Sequence, residues 1–167
     1  MTGLIINDTA TYWSLFGQGV ILLLIQIGGM GIITIAIAIA VVSGRKIGLM
    51  QRSTMQEAIS APTVGGIVRR TQFIIRTTIL IEIIGAALLA PVFCRDFGFW
   101  KGIWYSLFHS ISAFCNAGFD LIGIRTPFSS LTSYSVQPIV NLVIMMLIIA
   151  GGIGSVSYTH LRAHETS

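Results

Sequence analysis

The chain has 167 residues, of which 54% are hydrophobic and 10% are charged, and its mean hydropathy is +0.85. A soluble domain carries about a quarter charged residues, so this composition excludes an ordinary soluble protein and indicates a membrane protein. The net charge of +4 does not indicate a nucleic-acid partner, because the basic residues cluster between apolar segments, where they act as a topology signal.

The first apolar segment and the connection after it define an orientation. Residues 12–43 carry no charge, and this run exceeds the ~20 residues that a transmembrane helix needs. Residues 44–70 hold one acid, Glu57, against five basic residues: Arg45, Lys46, Arg52, Arg69 and Arg70. Because basic loops stay on the cytoplasmic side, we predict that the connection 44–70 is cytoplasmic and that the helix before it runs inward.

The second apolar segment, residues 71–94, contains Arg76 and Glu82 but is otherwise rich in Ile, Leu and Ala. A lipid-facing charge near mid-membrane costs about 2.5 to 3.5 kcal/mol, so we expect Glu82 to face the interior of the helix bundle. A buried interhelical hydrogen bond is favoured over ion coordination or proton relay, and these alternatives stay open.

The next predicted helix is too short to cross a membrane. Its apolar part, residues 103–114, would be about 18 Å long at ~1.5 Å per residue, whereas the hydrocarbon core is ~30 Å thick. An outer loop, residues 118–135, and then a long helix within the charge-free run 126–161 follow it. The chain must therefore return to the side from which it entered, and CNAGF at 115–119 becomes backbone at membrane depth, which is tolerated only where it is buried or faces water.

An internal repeat links the two charge-free segments. LIQIGGMGI at 24–32 aligns with LIIAGGIGS at 147–155, and Gly3 and Gly118 precede them at corresponding places. We interpret GGMG as a packing or bending motif rather than a phosphate-binding loop, because no strand or Lys accompanies it. The architecture is therefore predicted to be all-α and polytopic, with about three transmembrane helices plus one short pore helix.

The re-entrant segment is the candidate functional site. Gly118 can adopt positive φ and turn backbone carbonyls toward an axis, where they replace the hydration shell of a cation. An ordinary interhelical loop is the alternative. Asp120 could draw cations to an outer mouth or cap a turn, and His109 is expected to hold the short helix rather than bind a metal.

Enzyme activity is not expected. His109, Cys115 and Asp120 have the residue types of a hydrolase triad, but nothing in the sequence supplies an oxyanion hole or a substrate cleft. We predict no cofactor.

QIGGMGIIT, GRKIGL, FHSISAFCNAGFDL and IAGGIG together resemble the ion-translocating membrane subunit of the bacterial Trk/Ktr potassium transporters. The resemblance implies four helix, pore-loop, helix repeats around one pore in the bacterial plasma membrane. The chain then looks like a fragment: the end of one repeat (1–43), the cytoplasmic loop (44–70), a second repeat (71–156) and a tail (157–167) that is expected to be non-native. The implied potassium filter residues are Thr2, Gly3, Asn116, Ala117, Gly118 and Phe119.

The resemblance also implies K⁺ as the transported ion, with Na⁺ as the other candidate. It implies two protein partners, a cytosolic nucleotide-binding regulatory ring and a second copy of the full-length chain, within membrane lipid. Two other functions stay open from the residues themselves: a non-conducting membrane assembly subunit that uses its glycine-rich helices, and a secondary transporter with broken helices.

Overall fold

The computed structural model describes residues 5–31, 64–124 and 130–164. These residues form helices and contain no strand, which confirms the all-α prediction. In chain order the elements are α1 (Thr9–Tyr12), α2 (Leu15–Met30), α3 (Val64–Phe97), α4 (Phe99–Phe114), two 3₁₀ turns (Ile122–Ile124 and Ser130–Tyr134) and α5 (Pro138–His164). Most of the predicted cytoplasmic connection, residues 44–63, lies outside the described residues, as do Thr2 and Gly3.

Three apolar helices correspond to the predicted spans. In the part of the chain that the structure describes, Gln72–Phe97 has the length and hydropathy to cross a membrane, with 26 residues at a mean hydropathy of 2.1. Leu15–Met30 and Pro138–Ile153 are apolar but shorter. The rest of the first predicted span, residues 32–43, lies outside the described residues.

Two glycines set helix ends that differ from the prediction. Gly31, at φ 81 and ψ 143, follows α2, so the helix ends at Met30 inside the charge-free run. Gly98, at φ 82, is the single residue between α3 and α4, so α4 begins earlier than predicted. A left-handed φ cannot continue a right-handed helix, and Gly adopts it without a Cβ penalty. With 16 residues, α4 is about 24 Å long at ~1.5 Å per residue and still shorter than a span.

Helix α4 packs antiparallel to α3 along most of its length. Near the turn, Gly102 lies against the backbone of Cys94, where a Cβ would not fit. Farther from the turn along α4, the hydroxyl of Ser110 donates to the Glu82 carbonyl at 2.7 Å. There Gly85 lies against both Ser110 and Leu147 of α5. The small residues thus let three helices approach closely around Glu82.

Aromatic rings fill the core toward the α3–α4 turn. Phe93 stands at the centre, with its ring 5.2 Å from that of His109 and 5.3 Å from that of Tyr134. Both Phe93 and Tyr134 are almost fully buried. This core fixes the position of α4 relative to α3 and to the chain that precedes α5.

Candidate functional site

The end of α4 is closed by a pattern of backbone hydrogen bonds that leads directly into the loop. Asn116 N–H donates to the Ala113 carbonyl at 3.1 Å, and Ala117 N–H donates to the Ser112 carbonyl at 2.8 Å. Asn116 lies in the left-handed region at φ 51. These are the two bonds and the αL residue of a Schellman motif, and Asn is among the few non-glycine residues that tolerate this conformation.

Ser112 also holds the far side of the loop through its side chain. Its hydroxyl donates to the Phe119 carbonyl at 2.6 Å and accepts from the Phe119 N–H at 3.1 Å. Ala117 and Phe119 are therefore both tied to one serine. Gly118, with φ 76, lies between them in a conformation that a side chain would strain.

His109 ties the chain beyond the loop back to α4. The Tyr105 carbonyl, 2.7 Å from Nδ1, can only accept, so Nδ1 carries the proton. Nε2 is then free to accept from the Leu121 N–H, at 3.4 Å. The side chain is 2% exposed. His109 thus has the helix-holding arrangement that the sequence favours, and no group of three or more potential metal-binding side chains occurs among the described residues.

Contacts along α3 give the depth that the loop reaches. Cys115 Sγ lies 4.0 Å from Glu82 Oε1, and Glu82 lies about 22 Å from Phe97 along α3 at ~1.5 Å per residue. By residue 134 the chain has returned, because the Tyr134 hydroxyl donates to Asp96 Oδ2 at 2.6 Å. The loop therefore lies beside the middle of α3, with both of its flanking segments leading to the same end.

A cleft of about 220 Å³ opens beside the loop, between α4, the returning chain and α5. It brings together most of the described residues that the sequence predicts for the site. Ala117 differs, because its side chain is 1% exposed and belongs to the core. The cleft is lined by His109, Ser112, Ala113, Asn116, Gly118, Phe119, Asp120, Ser130, Leu131, Ile144 and Ile148.

Glu82 lies in a polar contact on another side of the loop. Gln26 Nε2 of α2 donates to Glu82 Oε2 at 2.9 Å, and the Cys115 thiol lies 3.9 Å from Gln26 Oε1. Glu82 is 3% exposed. This is an interhelical hydrogen bond of the kind that the sequence favours. Sequence reasoning missed Gln26, although an amide in the middle of an apolar helix signals that it has a polar partner.

The glycine pairs of the internal repeat both contact the end of α4. A Cβ on Gly29 would overlap Cys115 Sγ, and a Cβ on Gly151 would overlap the Phe114 carbonyl oxygen. The repeat therefore shares a packing contact. It does not share a bend, because α2 ends beside GGMG whereas α5 continues through GGIG.

Asp120 is placed by a turn and lies near a second buried acid. Its Oδ2 accepts from the Ile122 N–H at 3.1 Å, which matches the capping role considered for it. Burial raises the pKa of the Asp120 carboxyl, and Asp8 raises it further. The Asp8 carboxylate accepts from Thr11 N–H and hydroxyl and lies against Gly123, where a Cβ would not fit. Asp8 gave no signal in the sequence, because helix-capping acids are common in loops.

The fold and this site define a helical membrane protein in which the 16-residue α4 ends in a loop that packs beside the longer helices α3 and α5. The TrkH family of cation transport proteins matches residues 1–163. The chain therefore belongs to the TrkH cation transport protein family. Because this is a family of transporters, the prediction that the chain is not an enzyme is confirmed.

Individual relatives are named as potassium uptake proteins. The chain is 46% identical over 154 residues to the Ktr system potassium uptake protein B of Bacillus subtilis, covering 92% of the chain. It is 37% identical over 165 residues to the potassium/sodium uptake protein NtpJ of Enterococcus hirae, covering 99% of the chain. These matches cover 34% and 36% of the two relatives, so the chain spans about a third of their length.

Proposed function

We propose that the protein takes part in potassium uptake across the bacterial plasma membrane, as part of a multi-pass subunit in which K⁺ passes a filter of backbone carbonyls. Gly118 supplies the observation that carries the proposal. It lies at φ 76 in a loop that directly follows the 16-residue α4 and lies beside the middle of the long apolar α3. Gly3, the corresponding residue of the first repeat, would contribute the equivalent backbone.

Electrostatics at the end of α4 favour a cation. The C-terminal end of a helix carries about half a negative elementary charge, and α4 points this end at the loop. Where the same loop sits at membrane depth, the surrounding apolar core excludes water, and the cation exchanges its hydration shell for backbone carbonyls. The named activity of the B. subtilis relative, potassium uptake, fits this chemistry.

A role in assembly alone is less well supported. Gly29 and Gly151 would be the surfaces for assembly in such a subunit, yet both are occupied by contacts within the chain, with Cys115 and Phe114. One glycine of each pair therefore lies against the loop of its own chain.

The ion and partners follow from the family. K⁺ is the proposed substrate, and Na⁺ is the second candidate because the E. hirae relative is named for uptake of both ions. In the full-length protein we propose a dimer of this subunit and a cytosolic regulatory ring formed by another chain.

The test uses ion preference of the full-length protein and two matched glycines. Gly118→Ser and Gly98→Ser each place a side chain on a residue with left-handed φ, 76 and 82 respectively. A Cβ on Gly98 meets nothing within 4 Å, so this variant adds backbone strain of about 1–3 kcal/mol without a steric clash, and it lies at the other end of α4. Uptake of K⁺ and Na⁺ is measured in cells that lack other potassium uptake systems.

We expect Gly118→Ser to lower the ratio of K⁺ to Na⁺ uptake by about tenfold, which corresponds to ~1.4 kcal/mol, while Gly98→Ser keeps the ratio of the unmodified protein. Expression in the membrane is measured for both. An unchanged ratio in a well-expressed Gly118→Ser protein contradicts the filter assignment.

A further inference from the structure

Ser112 makes three hydrogen bonds to the loop, and together they enclose Gly118. Its carbonyl accepts from the Ala117 N–H at 2.8 Å, and its hydroxyl both accepts from and donates to Phe119, at 3.1 and 2.6 Å. The side chain is 3% exposed, so water does not compete for these bonds. One residue of α4 therefore fixes the peptide groups on either side of the predicted filter glycine.

Peptide geometry converts these bonds into carbonyl directions. The described peptide bonds include no cis bond, and in a planar trans peptide the N–H and the preceding C=O point in opposite directions. Because the Phe119 N–H points at the Ser112 hydroxyl, the Gly118 C=O points away from Ser112. Because the Ala117 N–H points at the Ser112 carbonyl, the Asn116 C=O also points away from it.

The Phe119 carbonyl has the reverse arrangement. It accepts the short bond from the Ser112 hydroxyl and is therefore turned toward α4. The bonds to Ser112 thus direct two carbonyls away from this serine, those of Asn116 and Gly118, and one toward it.

We propose that Ser112 is a positioning residue for ion selectivity, which aims the Asn116 and Gly118 carbonyls at the permeating cation and withdraws that of Phe119. The inference rests on the proposed function. It assigns the ion-facing oxygens of this loop to two particular carbonyls, and it gives a buried helix serine a role in ion selectivity without contact with the ion.

The test compares two buried serines of the same helix. Ser112→Ala removes both bonds to Phe119. Ser106→Ala is the matched control, because Ser106 is 1% exposed and its hydroxyl donates at 2.7 Å to the Gly102 carbonyl one turn earlier, away from the loop. Ser112→Thr keeps a hydroxyl at the same place. K⁺ and Na⁺ uptake rates and membrane expression are measured for the full-length protein.

We expect Ser112→Ala to lower the ratio of K⁺ to Na⁺ uptake by at least about 2- to 12-fold, the factor that one of the two lost neutral hydrogen bonds carries. Ser112→Thr should restore the ratio, and Ser106→Ala should leave it unchanged. A general loss of stability lowers both uptake rates and leaves their ratio alone, so the ratio separates positioning from folding.

Three outcomes overturn the inference. One is an unchanged ratio in Ser112→Ala when Gly118→Ser does alter it, which leaves the filter assignment standing and removes Ser112 from it. Another is a change in the uptake ratio of Ser106→Ala that equals the change in Ser112→Ala. The third is an unmodified protein that does not discriminate between the two ions, which removes the proposed function as well. If Ser112→Ala fails to reach the membrane, Ser112→Cys is measured instead, because a thiol of similar size is a weaker donor, and an unchanged ratio there also contradicts the inference.

Discussion

We expect substitution by Ala to have opposite effects on stability at the two adjacent glycines of α5, Gly151 and Gly152. In Gly151→Ala, the new Cβ would lie well inside van der Waals contact with the Phe114 carbonyl oxygen, whereas in Gly152→Ala it would meet nothing within 4 Å. The oxygen belongs to the backbone at the end of α4, so it cannot rotate away as a flexible side chain could. The helix end or α5 must move instead.

The difference in stability between the two variants follows from two contributions, of which one is common to both and the other applies only to Gly151→Ala. Both gain the helix preference of Ala over Gly, about 0.8–1 kcal/mol. Only Gly151→Ala forces an extra group into a packed contact, which costs about 1–3 kcal/mol. The free energy of unfolding should therefore be about 1–3 kcal/mol lower for Gly151→Ala than for Gly152→Ala, and Gly152→Ala should be at least as stable as the unmodified protein.

Thermal unfolding of the full-length protein in detergent measures this order. Each purified variant is heated in steps, and the fraction that stays monodisperse is followed by size-exclusion chromatography. Gly151→Ala should lose monodispersity at the lowest temperature of the three proteins. Equal midpoints for Gly151→Ala and Gly152→Ala would refute the close approach of α5 to the end of α4.

Substitutions at three other positions test separate contacts by the same unfolding assay. Glu82→Ala should destabilise the protein by about 1–3 kcal/mol because it leaves the half-buried amide of Gln26 without its partner, whereas Glu82→Gln keeps an acceptor and should cost less. Gly123→Ala should cost about 1–3 kcal/mol because its Cβ would overlap the Asp8 carboxylate. In Asp120→Asn the pH dependence should be flatter: burial raises the pKa of Asp120 above the ordinary 3.8, so its contribution is present below that ordinary value and is lost as the pH rises through the raised pKa. An unchanged pH profile would contradict a buried Asp120.

The sequence predicts the helical architecture and the place of the loop because these depend on averages over many residues. Hydropathy over about 20 positions identifies membrane segments whatever their neighbours, and a helix too short to span, such as α4, forces a return of the chain. The expectation for Glu82 succeeded for a similar reason, since a carboxyl in an apolar helix needs a polar partner wherever it lies.

Single-residue conformations could not be predicted in the same way. Gly31 and Gly98 end helices at positive φ, whereas Gly85 and Gly151 lie inside helices at close contacts, and nothing local in the sequence distinguishes the two uses. The role of Ser112 could not be predicted either, because its hydroxyl bonds to Phe119, which lies seven residues later, after the chain has reversed direction. Such roles depend on tertiary packing, which the sequence pattern does not contain.

The loop is held by helices from both sides of the internal repeat. Gly29 of α2 leaves room for Cys115, and Gly151 of α5 leaves room for Phe114, while Gln26 binds Glu82 beside the same loop. Backbone carbonyls select among ions by their number and position. On the proposed function, a displacement of α2 would therefore reach the loop at Gly118 without any change within that loop. Substitutions in α2 should then alter ion preference through Cys115.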